Sequence, residues 1–184
     1  MSASSRLALV ADIGGTNARF GIADLDTLEV GRFEVFHGRD HPTLAGAAAA
    51  YLAGLDVSPG LGAFAVAAPV TDDAVRLTNS PWAFTRAELR QALGLDELLL
   101  LNDFEALALG LPYLGPSDLH QIGGGIPPRI LGALTSGRFR AAFEAKGRMS
   151  AYVAAIPVYV VLSGEAALKG AAAALRAVLA GRAP

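Results

Sequence analysis

Residues 9–24 read LVADIGGTNARFGIAD. A short apolar run ends on Asp12, a glycine pair and Thr16-Asn17 follow, and a second apolar run leads to Asp24. Leu, Val and Ile without a helical period read as a buried strand, and ARFGIAD as its partner. A glycine pair between two strands is most economically a hairpin turn, because glycine tolerates the positive φ that such turns demand. Three further features point to a phosphate. Asp12 closes a buried strand, where a carboxylate must be paired, hydrated or beside a metal. Thr16 and Asn17 put a hydroxyl and an amide at the tip. The bare glycine backbone lets N–H groups approach an anion. Gly14-Gly15 alone is a weak signal; the string Asp12-x-Gly14-Gly15-Thr16-Asn17 is considerably stronger.

Working outward, LEVGRFEVF reads as a third strand, so the chain opens as a β-meander. HPTLAGAAAAYLAGL carries Pro42 near its start and apolar residues at helical spacing, which predicts a helix. GAFAVAAPV is apolar on both faces, as in a strand inside a sheet covered on both sides. AVRLTNSPWAF looks like an excursion from that sheet. Thr85 and Glu88 have capping-box spacing and open a helix that Gly94 ends. DELLLLND is a strand delivering Asn102 and Asp103 at its carboxyl end, and FEALALGLPYL a helix that Pro112 stops. The order βββαβαβα predicts an α/β, ribonuclease-H-like mixed sheet with flanking helices, whose ligands sit beyond the carboxyl ends of the strands. Beyond Pro112 the pattern weakens into loop chemistry, one or two helices, a last strand in PVYVVL and an alanine-rich closing helix. The expected division is a lobe over 1–112 and a remnant over 113–184, whose last strand and helix pack back on the first lobe.

Composition narrows the chemistry. The chain has 184 residues, enough to bury roughly 70% of its unfolded surface. No apolar run approaches the roughly 20 residues needed to cross a bilayer, and the amino terminus lacks a secretory pattern, so a cytoplasmic protein without membrane partners is expected. Cysteine is absent, which excludes thiolate chemistry and disulfides. A net charge of -2 without basic clusters argues against nucleic acid. Glu34 and His37 form Glu-x-x-His, but on a strand residues three apart point to opposite faces, and a chance pairing is expected.

The string at 12–17 resembles the first phosphate motif of the sugar-kinase, actin and heat-shock-chaperone ATPase superfamily. Together with AVAAPVTDDAVRLTNSPWAFT and LLLLNDFEALALGLPYL, it is similar to the bacterial ATP-dependent glucokinase family. GGIPPRI, FRAAFEAKGRMSAYVAAIPVYVV and LKGAAAAL resemble the end of the same family, so the similarity covers nearly the whole chain in two blocks. The resemblance implies phosphoryl transfer from ATP, with Mg²⁺, to the 6-hydroxyl of glucose. Asp12, Gly14, Gly15, Thr16 and Asn17 would hold phosphate, with Mg²⁺ reached through Asp12. Asn102 and Asp103 match the sugar-binding and catalytic pair, with Asp103 as the base. Asn79 resembles the loop beside the sugar, and Gly124, Gly125 and Arg129 the adenosine-side motif. Alone, Asn102-Asp103 reads as a helix cap; with the phosphate loop upstream it reads as catalytic. Trp82 reads equally as a packing partner of the sugar loop or as a core residue. An actin-like or chaperone-like module is the weaker relative, because the TNSPWAF loop and the Asn-Asp pair argue against it. A homodimer is one expected assembly, which composition does not fix.

The two blocks meet at LHQIGGGIPPRI, where full-length glucokinases place most of their second lobe. This sequence has no second Asp-x-Gly-type turn and no plausible sugar-gripping Glu-x-x-His. The second lobe is therefore expected to be largely missing. Half a clamp would leave phosphates and metal open to water. The alternative to an active glucokinase is an internally deleted, inactive relative that keeps only part of the ATP and glucose site.

Overall fold

The structure, a computed structural model, describes residues 6–70, 73–77, 80–121, 138–154 and 159–183. Strands β1 (Leu7–Ile13), β2 (Asn17–Asp24) and β3 (Val30–His37) form the opening meander. Helix α1 (Leu44–Ala53) leads to β4 (Leu61–Val66). The excursion is a two-stranded ribbon of β5 (Ala74–Arg76) and β6 (Ala83–Thr85). Helix α2 (Arg86–Ala92), β7 (Glu97–Asn102) and α3 (Asp103–Gly110) follow. The main sheet has five strands in the order β3-β2-β1-β4-β7, with β2 antiparallel to β1 and β3 and with β4 parallel to both β1 and β7. This is the mixed sheet that the order of elements predicts.

The chain divides into two compact units. The first runs to Tyr113 and resumes at Glu165 with the closing helix, and the second spans Leu114–Gly164. Within the second, β8 (Leu119–Gln121) pairs antiparallel with β9 (Tyr159–Val161), and α4 (Arg138–Glu144) and α5 (Ser150–Ala154) lie between them in sequence. The closing helix α6 (Ala166–Leu179) packs on α3 and on β1 and β4 in the first unit.

Alternation along the strands builds two cores. Leu9, Ala11, Ile13, Phe64, Val66, Leu98 and Leu100 point to the side carrying α1 and Trp82. Ala8, Val10, Ala63, Ala65 and Leu101 point to the side carrying α3 and α6. Small side chains on that second face let α6 lie close to the sheet. GAFAVAAPV does not remain a strand to its end. After Val66 the chain leaves the ladder, Ala67 N–H donating to Ile13 at 2.9 Å, and Pro69 has no N–H with which to continue. Thr43 caps α1, its hydroxyl accepting from Gly46 N–H, so Pro42 stands one residue outside the cap. The Thr85–Glu88 capping box forms as predicted, and Gly94, at φ +64, supplies the left-handed residue just past α2.

Helices α3 and α6 meet backbone to backbone. A Cβ on Gly170 would lie 1.7 Å from the Ala106 carbonyl oxygen, and one on Gly110 2.2 Å from that of Ala166. Propensity alone favours alanine over glycine inside a helix by about 1 kcal/mol. Here sterics reverse the sign: Gly170→Ala is expected to destabilise by about 3 kcal/mol or more, read as a lower urea midpoint.

Tyr51 ties α1 to the edge strand. Its ring stacks on Phe20 with centroids 5.4 Å apart, and its hydroxyl donates to Arg32 O at 2.7 Å. Burial, helped by the charge of Glu34, raises its pKa from 10.0 to about 12. The neutral form is thus favoured by folding, and that contribution is complete below pH 10.0 and lost as pH rises to about 12. Tyr51→Phe should cost about 1 kcal/mol at neutral pH and flatten the alkaline loss of stability in that window, measured by denaturation at stepped pH.

Candidate active site

The carboxyl ends of three parallel strands stand level. Ile13 of β1 pairs with Val66 of β4, and Val66 pairs with Asn102 of β7. The segments leaving those residues therefore form one edge of the sheet: Gly14–Thr16, Ala67–Val70 and Asp103-Phe104. Strands about 4.8 Å apart put the first and third of these about 10 Å from each other, room for a phosphoryl group and an acceptor hydroxyl.

Gly14–Thr16 close the β1–β2 hairpin, with Gly14 N–H donating to Asn17 O at 2.9 Å. Among the described residues the glycines of positive φ are Gly94, Gly147 and Gly181, so a left-handed turn is not what calls for the Gly14-Gly15 pair. The hairpin forms without the positive φ expected of that pair. What the pair leaves is bare backbone at the tip. Asp12 is half-buried, and its Oδ2 accepts from Arg19 Nη1 at 2.8 Å across the hairpin. Among the described residues its Oδ1 accepts no hydrogen bond.

A cavity of about 470 Å³ opens beside the loop, lined by Gly15, Thr16, Asn17, His37, Arg39 and Ser80 among others. Its outer wall is stitched to the loop, because Gly38 N–H donates to Thr16 O at 2.8 Å and His37 Nδ1 lies 2.7 Å from Asn17 Oδ1. Trp82 is a core residue, 2% exposed, with its indole N–H donating to His41 O at 2.9 Å. It holds the Ser80-Pro81 side of the cavity against the turn at 38–41. His37, Arg39 and Ser80 line this cavity, and none of them has a role in the expected site. Glu34 and His37 do point to opposite faces, but His37 has a partner across the strand pair. The register opposing Asn17 and His37 is the signal that would have found it.

At the third end of the edge, Asn102 is both a cap and a cavity residue. Its Oδ1 accepts from Phe104 N–H at 2.9 Å, and its Nδ2 donates to Ala68 O at 3.2 Å, tying β7 to the segment after β4. One N–H and one lone pair of the amide remain for a ligand. Asp103 is half-buried in the first turn of α3, its Oδ1 accepting from Phe104 N–H at 3.0 Å. Both line a second hollow of about 480 Å³ with Ala67, Ala68, Pro69 and Phe104. Phe104 is 77% exposed at its lip. Asn79, Gly124, Gly125 and Arg129 lie outside the described residues.

The glucokinase family model matches residues 9–124 and 121–178, two segments that meet at the glycine-rich stretch. The chain belongs to the glucokinase family. A glucokinase of Enterobacter sp. is 41% identical over 123 residues, 67% of this chain and 38% of the relative. One from Ralstonia nicotianae is 45% identical over 121 residues, 63% of this chain and 35% of the relative. The chain thus spans under two fifths of the length of these glucokinases. A glucokinase crystal structure from an Antarctic psychrotroph has the same fold, with a TM-score of 0.70 at 20% identity over 92% of this chain and 98% of that one. Among the described residues, no helix is long and apolar enough to cross a membrane.

Asn102→Ala removes the cap and the tie to Ala68 together, and is expected to cost about 1 kcal/mol or slightly more in urea denaturation. Asn102→Asp keeps an acceptor for the Phe104 N–H and should recover part of that loss.

Proposed function

We propose that this chain carries the phosphate-loop and acceptor half of an ATP-dependent glucokinase, transferring the γ-phosphoryl group of ATP to the 6-hydroxyl of glucose. The observation that carries this reading is the shared level of Ile13, Val66 and Asn102, which puts the Gly14–Asn17 tip and Asp103 on one edge about 10 Å apart. Backbone N–H groups and the Thr16 and Asn17 side chains hold phosphate oxygens at that tip. Gly124 and Gly125 serve the adenosine side. Asn79 and the free N–H of Asn102 fix sugar hydroxyls. Asp103 accepts the 6-hydroxyl proton as the oxygen bonds to the γ-phosphorus and the bond to the bridging oxygen breaks, releasing ADP.

Mg²⁺ in nucleotide sites is held by one or two carboxylates together with phosphate oxygens and waters. Asp12, with one oxygen on Arg19 and one free, fits that role. The ion would neutralise charge on the transferring phosphoryl group. Such a reaction belongs to the cytoplasm, at the first step of glycolysis.

Purified chain assayed with glucose, ATP and Mg²⁺ in a coupled assay should form ADP in a glucose-dependent manner. Asp103→Ala should lower kcat by about 10²–10⁴-fold while calorimetry shows glucose affinity within a few-fold of the unmodified chain. Folded protein without turnover, or full turnover in Asp103→Ala, would overturn the reading. Binding of one ligand without turnover is the signature of the inactive relative.

A further inference from the structure

We propose that His37 is a positioning residue for the phosphate loop: it sets which end of the Asn17 side-chain amide is turned toward the cavity. The two residues are opposed in the β2–β3 ladder, so their side chains share a face, and Nδ1 of His37 lies 2.7 Å from Oδ1 of Asn17. Two acceptors do not meet at that distance, so in this arrangement Nδ1 carries the hydrogen and donates it. With Oδ1 engaged by the ring, the Asn17 NH₂ is the end left for a ligand. An anion needs a donor there, and an outward carbonyl would repel it.

The alternative amide orientation puts NH₂ on the ring and requires Nδ1 to be a bare acceptor. Only neutral imidazole carrying its hydrogen on Nε2 provides that. Imidazolium has donors at both nitrogens and permits only the anion-ready orientation. The charged neighbours do not compete for this bond. Arg39 and Asp40 on the following turn pair with each other at 3.6 Å. Arg19 on β2 is held by Asp12, Glu34 is on the other face of β3, and the His41 ring packs on Phe36. Ser80 and Pro81 across the cavity carry no charge.

The ligand consequence rests on the reading of Gly14–Asn17 as a phosphate loop; the ring–amide couple does not. Two measurements on the whole chain therefore separate them. In the first, ATP affinity is titrated by calorimetry at pH 6 and pH 8 for the unmodified chain, His37→Phe and His37→Gln. Protonation of ATP itself is common to all three and cancels in their ratios. His37→Phe should bind about fivefold more weakly at both pH values, by roughly one hydrogen bond. His37→Gln, whose amide N–H can donate to Asn17 at either pH, should recover most of the affinity at both. Unchanged affinity in His37→Phe, or no recovery in His37→Gln, would overturn the proposal.

In the second, the ring-nitrogen chemical shifts of neutral His37 are read without ligand. An Nδ1–H tautomer supports the couple, against the Nε2–H form that free side chains prefer, and an Nε2–H tautomer overturns it. Failure of the unmodified chain to bind ATP at either pH would remove the phosphate-loop reading, and the tautomer would still decide the couple.

Discussion

The parallel pairing of β1, β4 and β7 is the constraint on which the site depends. Hydrogen bonds across the ladder hold Ile13, Val66 and Asn102 at one height, and the next backbone bond, from Ala67 to Ile13, ends the pairing there. Each strand then releases its chain at the same edge. The glycine-bearing hairpin tip, a proline-bearing turn and a helix start are neighbours for that reason alone, although almost ninety residues of sequence separate the first from the last. A parallel ladder has one register compatible with both buried faces, because a slip of one residue would exchange the alanine face for the leucine and phenylalanine face.

The edge is secured from behind by the closing helix. Asp103 and Phe104 stand at the start of α3, and α3 is seated on α6 through Gly110 and Gly170. The end of the chain thereby sets the pose of a helix whose first residue lies at the candidate site. The hydrogen bonds of Asn102 do the same work from the front, linking the α3 amide to the turn after β4. Capping does not exhaust this asparagine, because an amide has donor and acceptor capacity left after both structural bonds are made.

Much of this was legible in sequence because it is local. The continuous apolar runs of β1 and β4, the Thr85–Glu88 box and the Asp12–Asn17 string each carry their meaning within a few residues. What escaped was non-local. His37 gains a partner only through the register of β2 against β3, which is irregular between Phe20 and Ile22 and passes Arg32 at φ 55. Trp82 belongs to the core because it packs on α1's side of the sheet, a relation that no local pattern encodes. The glycines of α3 and α6 lie sixty residues apart, and nothing near either one announces the other. Pro69 marks the end of β4 locally, but the apolar run continues past it to Val70.

Trp82 is the one tryptophan of the chain. Its indole is sealed in the core yet hydrogen-bonded to the turn that forms the outer wall of the cavity, itself joined to Thr16. The molecule therefore carries its own optical gauge. Emission from a single buried indole reports on the wall of the cavity beside Gly15–Asn17 without any label, and a change in the packing of the 38–41 turn would be seen against no background from other tryptophans.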